Sequence, residues 1–151
     1  MIFATVGTHQ QPFPRMLDAL RTLDDEIVLQ YGHNPRPDGF ARAEPFLPFE
    51  TVLELIAEAS NVITHAGVGS ILCAREAGHV PIVVPRLAAK GEHVDDHQVE
   101  LTRALEQRGE VVAWWGEGAL AHELNRAGPR GAARPLEPTP LHAAVREALL
   151  G

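Results

Sequence analysis

Three observations predict an α/β fold with a mainly parallel sheet and helices on both of its faces. Short apolar runs recur along the chain, "IFATV", "EIVLQYG", "NVITHAG", "VPIVVP" and "EVVAWW", and unbroken runs of this length fit strands buried on both faces. Between them lie segments whose apolar side chains return at helical spacing. Strand and helix therefore alternate in short units, the pattern of parallel crossovers. The 151 residues are expected to form a single domain, with no internal repeat.

The first strand, residues 2–6, is closed by Gly7. In "PFPRMLDALRTL", residues 12–23, Met16, Leu17, Leu20 and Leu23 share one helical face. A second strand is expected over 26–32. "FETVLELIAEAS", residues 49–60, brings Val52, Leu53, Ile56 and Ala57 together on a helix. The strand over 61–67 runs into "HAGVGS", where the chain must turn and start another helix. After the strand at 80–85 comes the polar loop "RLAAKGEHV", then a helix over 95–109 with two aspartates in its first turn and Gly109 after its last. A strand over 110–115 and a short helix over 117–128 follow. The Gly- and Pro-rich stretch 128–138 reads as a mobile linker, and 138–151 as a closing helix with Pro140 near its start.

Composition narrows the function classes. A formal net charge of −7 disfavours wrapping nucleic acid or lying on an anionic bilayer, since both need clustered Lys and Arg. Cys73 is the only cysteine, so no internal disulfide can form. The N-terminus has neither a basic leader nor an apolar run of signal length, and no stretch approaches the roughly 20 apolar residues of a bilayer span. A cytoplasmic protein is the expectation, reaching a membrane only through a partner.

In parallel α/β sheets ligands sit beyond the carboxyl ends of the strands, so the loops after residues 6, 64 and 84 are the ones to read. In "HAGVGS" two glycines fall where the chain starts a helix, leaving amides and a positive helix end for a phosphate; a packing turn would use the same glycines. The third glycine of a dinucleotide fingerprint is replaced by Leu72. "VGTHQQPF" places a hydroxyl, an imidazole and two amides on the productive edge; the alternative is that Thr8 caps the following helix, a common use of Thr. "GEHVDDHQ" holds His93 and His97 four residues apart. With the helix starting near Asp95, His93 stays in the loop, and polar recognition by Asp96, His97 and Gln98 fits better than a zinc helix. A Ser70, His97, Asp96 hydrolase is disfavoured because "GVGSI" lacks the nucleophile elbow. Cys73 reads as a core or site-lining residue rather than a nucleophile.

Taken in order, the Gly-Thr loop, the His-Ala-Gly-x-Gly-Ser turn, the Pro-x-Val-Val-Pro strand and the Asp-x-His-Gln helix start resemble the C-terminal, donor-binding domain of family 28 glycosyltransferases. The likeness is to its stand-alone type, which includes the catalytic subunit of the two-part UDP-GlcNAc transferase of dolichol-linked oligosaccharide synthesis and bacterial exopolysaccharide counterparts. That resemblance implies a Rossmann-like GT-B domain and an inverting transfer from a UDP-sugar, with the UDP-sugar as co-substrate and no cofactor or metal. It places Gly7, Thr8, His65, Gly67, Val68, Gly69, Ser70 and Cys73 around the donor nucleotide and diphosphate, and Glu92, His93, Asp96, His97 and Gln98 around the donor sugar. His9 is the candidate general base. Many relatives carry a ribose-binding Glu where Cys73 stands.

A GT-B enzyme closes its cleft between two such domains, so the expected partners are a membrane-anchored acceptor-binding subunit and a lipid-linked acceptor. Trp114, Trp115 and the closing helix from Leu141 to Leu150 are the candidate docking surface, the alternative being that they simply close the core. Homo-oligomerisation in isolation is allowed. The alternative is a non-catalytic nucleotide-sugar-binding accessory protein of a polysaccharide-synthesis system.

Overall fold

The computed structural model describes residues 1–128 and 131. Its strands are β1 (Ile2–Thr5), β2 (Ile27–Gln30), β3 (Arg42–Glu44), β4 (Asn61–His65), β5 (Ile82–Val84) and β6 (Val112–Ala113). They pair in parallel in the order β3-β2-β1-β4-β5-β6. Ile2 is in register with Ile27 on one side and with Asn61 on the other. The chain thus winds outward from β1 in both directions, and the crevice between the carboxyl ends of β1 and β4 is the topological switch point.

The helices are α1 (Pro14–Arg21), α2 (Phe49–Glu58), α3 (Val68–Glu76), α4 (His97–Gln107) and α5 (Leu120–Ala127). Alternation along β1 sorts them onto two faces. Ile2, Ala4 and Val6 pack with Met16, Leu20, Trp114 and Leu120, which puts α1 and α5 on one side. Phe3 points the other way, with Val28, Leu55, Ile56, Val62 and Ala74, beneath α2 and α3. Leu105 of α4 packs on the same side against Ile71, Val83 and Val111. Pro at the first turn of α1 suits a position whose amide has no helical partner.

Three local expectations change. β3 carries only one buried residue, Ala43, in a three-residue edge strand, too short for an apolar run to mark it. α4 starts at His97 rather than near Asp95, because the Asp95 carboxylate accepts the His97 amide at 2.9 Å and holds Asp95 ahead of the first turn. Trp114 is 8% exposed and belongs to the α1/α5 core, its indole N–H donating to the Gly118 carbonyl; closing the core leaves it no face for docking. The closing helix at 138–151 and most of the linker at 128–138 lie outside the described residues.

Candidate functional site

A cleft of about 400 Å³ opens at the switch point, walled by the first loop, the glycine turn and the segment leading into α2. Its floor is the end of β1. The Thr5 hydroxyl accepts the Gly7 amide at 3.2 Å and the Gln30 side-chain amide at 2.9 Å, and the Gln30 carbonyl oxygen accepts the Leu47 amide at 2.8 Å. One chain of bonds therefore joins the first loop to the Phe46–Leu47 wall.

On the opposite wall α3 begins at Val68, with Gly67 as its cap residue. The first helical bond runs from the Ile71 amide to the Gly67 carbonyl. The amides of Val68, Gly69 and Ser70 precede it and have no partner within the helix, so the positive end of α3 faces the cleft. Gly67, Gly69, Ser70 and Cys73 all line the space.

His65 stands between the two loops. A Cβ added at Gly7 or at Gly67 would collide with its imidazole ring, and Gly7 has φ +80. Both glycines are thus required by one side chain and, at Gly7, by the backbone as well. Burial lowers the His65 pKa to about 4, with Arg86, His9 and His93 adding positive potential in the same direction. The ring is neutral at physiological pH, and its buried Nδ1 has no hydrogen-bond partner.

The loop after β5 lies outside the cleft lining, packed against the first loop through His9 and His93. Asp96 accepts the Ala88 amide, and Gln98 accepts the Arg86 amide at 3.0 Å through its side-chain oxygen. His93 lies beside Asp95, 3.2 Å between Nδ1 and the carboxylate, and stacks on His9 with ring centroids 4.6 Å apart. The Asp95 carboxyl is held below its usual range, chiefly by the His97 amide. His9 is also shifted down, by burial first and then by Arg86 and His93. Its Nδ1 accepts the Gln11 amide at 3.2 Å, which selects the neutral tautomer with the proton on Nε2.

The structure brings Gly7, Thr8, His65, Gly67, Gly69, Ser70 and Cys73 around one cleft, with Val68 at the same helix start. Thr8 is exposed there and is not the cap of α1, whose cap residue is Phe13. His93 meets His9, and His97 is exposed at the start of α4. Glu92 is turned inward: it is 5% exposed, and its carboxylate accepts bonds from Arg15 and from the Leu87 amide. Among the described residues no three His, Cys, Asp or Glu side chains converge as a metal site would need, and no helix is long and apolar enough to cross a membrane.

Sequence reasoning missed Thr5, Gln30, Phe46 and Leu47 on the cleft wall, and Arg86 beneath it. Thr5 and Gln30 carried a readable signal, since each is the polar last residue of an otherwise apolar strand at the edge where ligands bind. Arg86 carried none, because an arginine after a strand is ordinarily a solvated one.

A six-stranded parallel sheet in this order, with its cleft at the switch point beside a helix N-terminus, defines a doubly wound, Rossmann-like α/β domain. The chain belongs to the glycosyltransferase family 28 C-terminal domain family, whose profile matches residues 1–114. Among solved structures it is similar to the glycosyltransferase SnogD from Streptomyces nogalater, with a TM-score of 0.57 and 22% identity over 99% of this chain and 37% of that one. It is also similar to the glycosyltransferase of kitacinnamycin, with a TM-score of 0.53 and 17% identity over 99% of this chain and 38% of that one. At these identities the likeness is one of fold, and the chain spans under two-fifths of either neighbour. No curated protein matches the chain.

Proposed function

We propose that this domain holds the UDP-sugar donor of an inverting glycosyltransferase and acts with a membrane-anchored partner that presents a lipid-linked acceptor. The observation that carries the reading is the junction of the α3 amide cluster, Val68 to Ser70, with the uncharged His65 in one cleft. Amides and a helix end stabilise a diphosphate without a metal ion, and a neutral imidazole donates or accepts a hydrogen bond. The Phe46, Leu47 and Val52 side of the cleft offers an apolar wall for a base, and the α4 start offers Asp96, His97 and Gln98 to sugar hydroxyls.

Inversion needs an acceptor hydroxyl about 3 to 3.5 Å from the anomeric carbon on the far face, and a base to take its proton. His9 is the base this loop offers, and its lowered pKa keeps it neutral near pH 7. Accepting the proton at Nε2 requires the other tautomer and loss of the Gln11 bond, about 1 kcal/mol. The acceptor is expected on a second domain facing this edge, held by the partner, with the chain at the cytoplasmic side of the membrane.

Titrating the purified chain with UDP and with several UDP-sugars, in the presence and absence of EDTA, tests the reading. Binding unchanged by EDTA is expected. A strict requirement for magnesium or manganese, or no uridine nucleotide bound at millimolar concentration, would refute it.

A further inference from the structure

Arg86 is among the largest fully buried side chains of the described chain, at 0% exposure. A guanidinium cannot shed its charge there, so the fold must surround it with acceptors. Three backbone carbonyls do so. Nη2 donates to Val6 at 3.1 Å, and the single nitrogen Nη1 donates both to Gln11 at 2.8 Å and to Glu92 at 3.1 Å. The Phe13 ring covers the group, with its centroid 4.6 Å from Cζ.

Those carbonyls belong to two separate loops, the first loop that walls the cleft and the loop after β5 packed beside it. Val6 and Gln11 bracket the first loop, including Gly7, Thr8 and His9, while the Glu92 carbonyl immediately precedes His93. The stacked pair His9 and His93 is thus formed by two loops clamped through one nitrogen. The clamp extends further. The Arg86 amide is bonded by Gln98 at the start of α4, and the Glu92 carboxylate is bound by Arg15 and by the Leu87 amide. The Glu92 carboxylate therefore offsets part of the buried charge, while its carbonyl completes the clamp.

Resting on the donor-site reading above, we infer that Arg86 is the positioning residue of this site: it sets the spacing between the nucleotide-side first loop and the sugar-side loop, and so selects a bound UDP-sugar over UDP alone. Arg86 touches no ligand in this role. Its guanidinium acts through the loops that carry His9 and His93. Its charge also bears on the imidazoles around it, lowering the pKa of His9 and of His65; among the described residues His93, Glu92, Arg15, Asp95 and His97 are further ionisable groups of this cluster.

Arg86→Lys separates charge from geometry, because an ammonium is a compact point charge that cannot reproduce the planar fork. In that variant the preference for UDP-sugar over UDP is expected to fall roughly tenfold, while UDP affinity changes little. The nuclear Overhauser contact between the His9 and His93 rings is expected to disappear, and the His9 and His65 titrations to stay low. In Arg86→Met the same titrations should move to higher pH, since the positive neighbour is gone. If Arg86→Met does not fold, the lysine variant carries the test alone. Equal losses for UDP and UDP-sugar, or a lysine variant that keeps both its preference and the His9–His93 contact, would overturn the inference. If the wild-type chain binds no UDP-sugar, the donor-site reading fails separately, and the ring contact still decides whether Arg86 sets the loops: its persistence in Arg86→Lys would overturn that too.

Discussion

Lowering the pH should destabilise this fold through one side chain, His65, by an amount the structure sets. The folded-state pKa is about 4, against about 6.5 for an unperturbed histidine. Because it is lowered, the unfolded chain takes up the proton first. The stability linked to His65 is therefore whole above about pH 6.5 and is lost as the pH falls toward 4, below which both states are protonated. Integrated over that window, the loss is about 2 kcal/mol between pH 7.5 and pH 5, rising to about 3 kcal/mol at the acid limit. Urea unfolding at several pH values between 7.5 and 5 measures it, against His65→Gln, which keeps a polar side chain of similar reach but does not titrate. With a slope of about 2 kcal/mol per molar urea, the wild-type midpoint should fall about 1 M further than that of the variant. His9 and His93 are present in both proteins, so the difference belongs to His65. Parallel midpoint-against-pH curves would refute the argument and would mean that the ring is hydrated or finds a partner for its proton.

Gly67→Ala should cost about 1 to 3 kcal/mol, because the new methyl group overlaps the His65 ring and that ring must leave its seat; melting temperature and UDP affinity should fall together, and an unchanged melting temperature would count against the wedge geometry. His97→Ala and Gln98→Ala should both weaken UDP-sugar binding more than UDP binding. Only Gln98→Ala should also reduce stability, by about 1 kcal/mol, since it strands the Arg86 amide, whereas the exposed His97 should change stability by less than about 0.5 kcal/mol; calorimetry of both variants separates the two effects.

The sequence by itself determined the parallel α/β class, five of the six strands and two of the segments that wall the cleft, the first loop and the glycine turn. Those follow from periodicity and from glycine, which are local properties: an apolar run such as "VPIVVP" can be satisfied only by burial, and Gly7 admits a positive φ wherever it is placed. The family resemblance rested on the same local motifs. It put Gly67 to Ser70 at a helix start, where they are found. What only the tertiary structure decided concerns contacts between residues far apart in the chain. Nothing near Arg86 in sequence shows that its guanidinium reaches Val6, eighty residues away. Nothing near Glu92 shows that its carboxylate turns inward to Arg15, seventy-seven residues away, instead of outward to a ligand. Gln30 and Thr5 became neighbours only when β1 and β2 came into register, and β3 exists because an edge was open for it beside β2. Local propensity fixes which segments form strands and helices. Which charges are buried together, and therefore which histidines stay neutral at the cleft, depends on how the sheet brings distant loops to one edge.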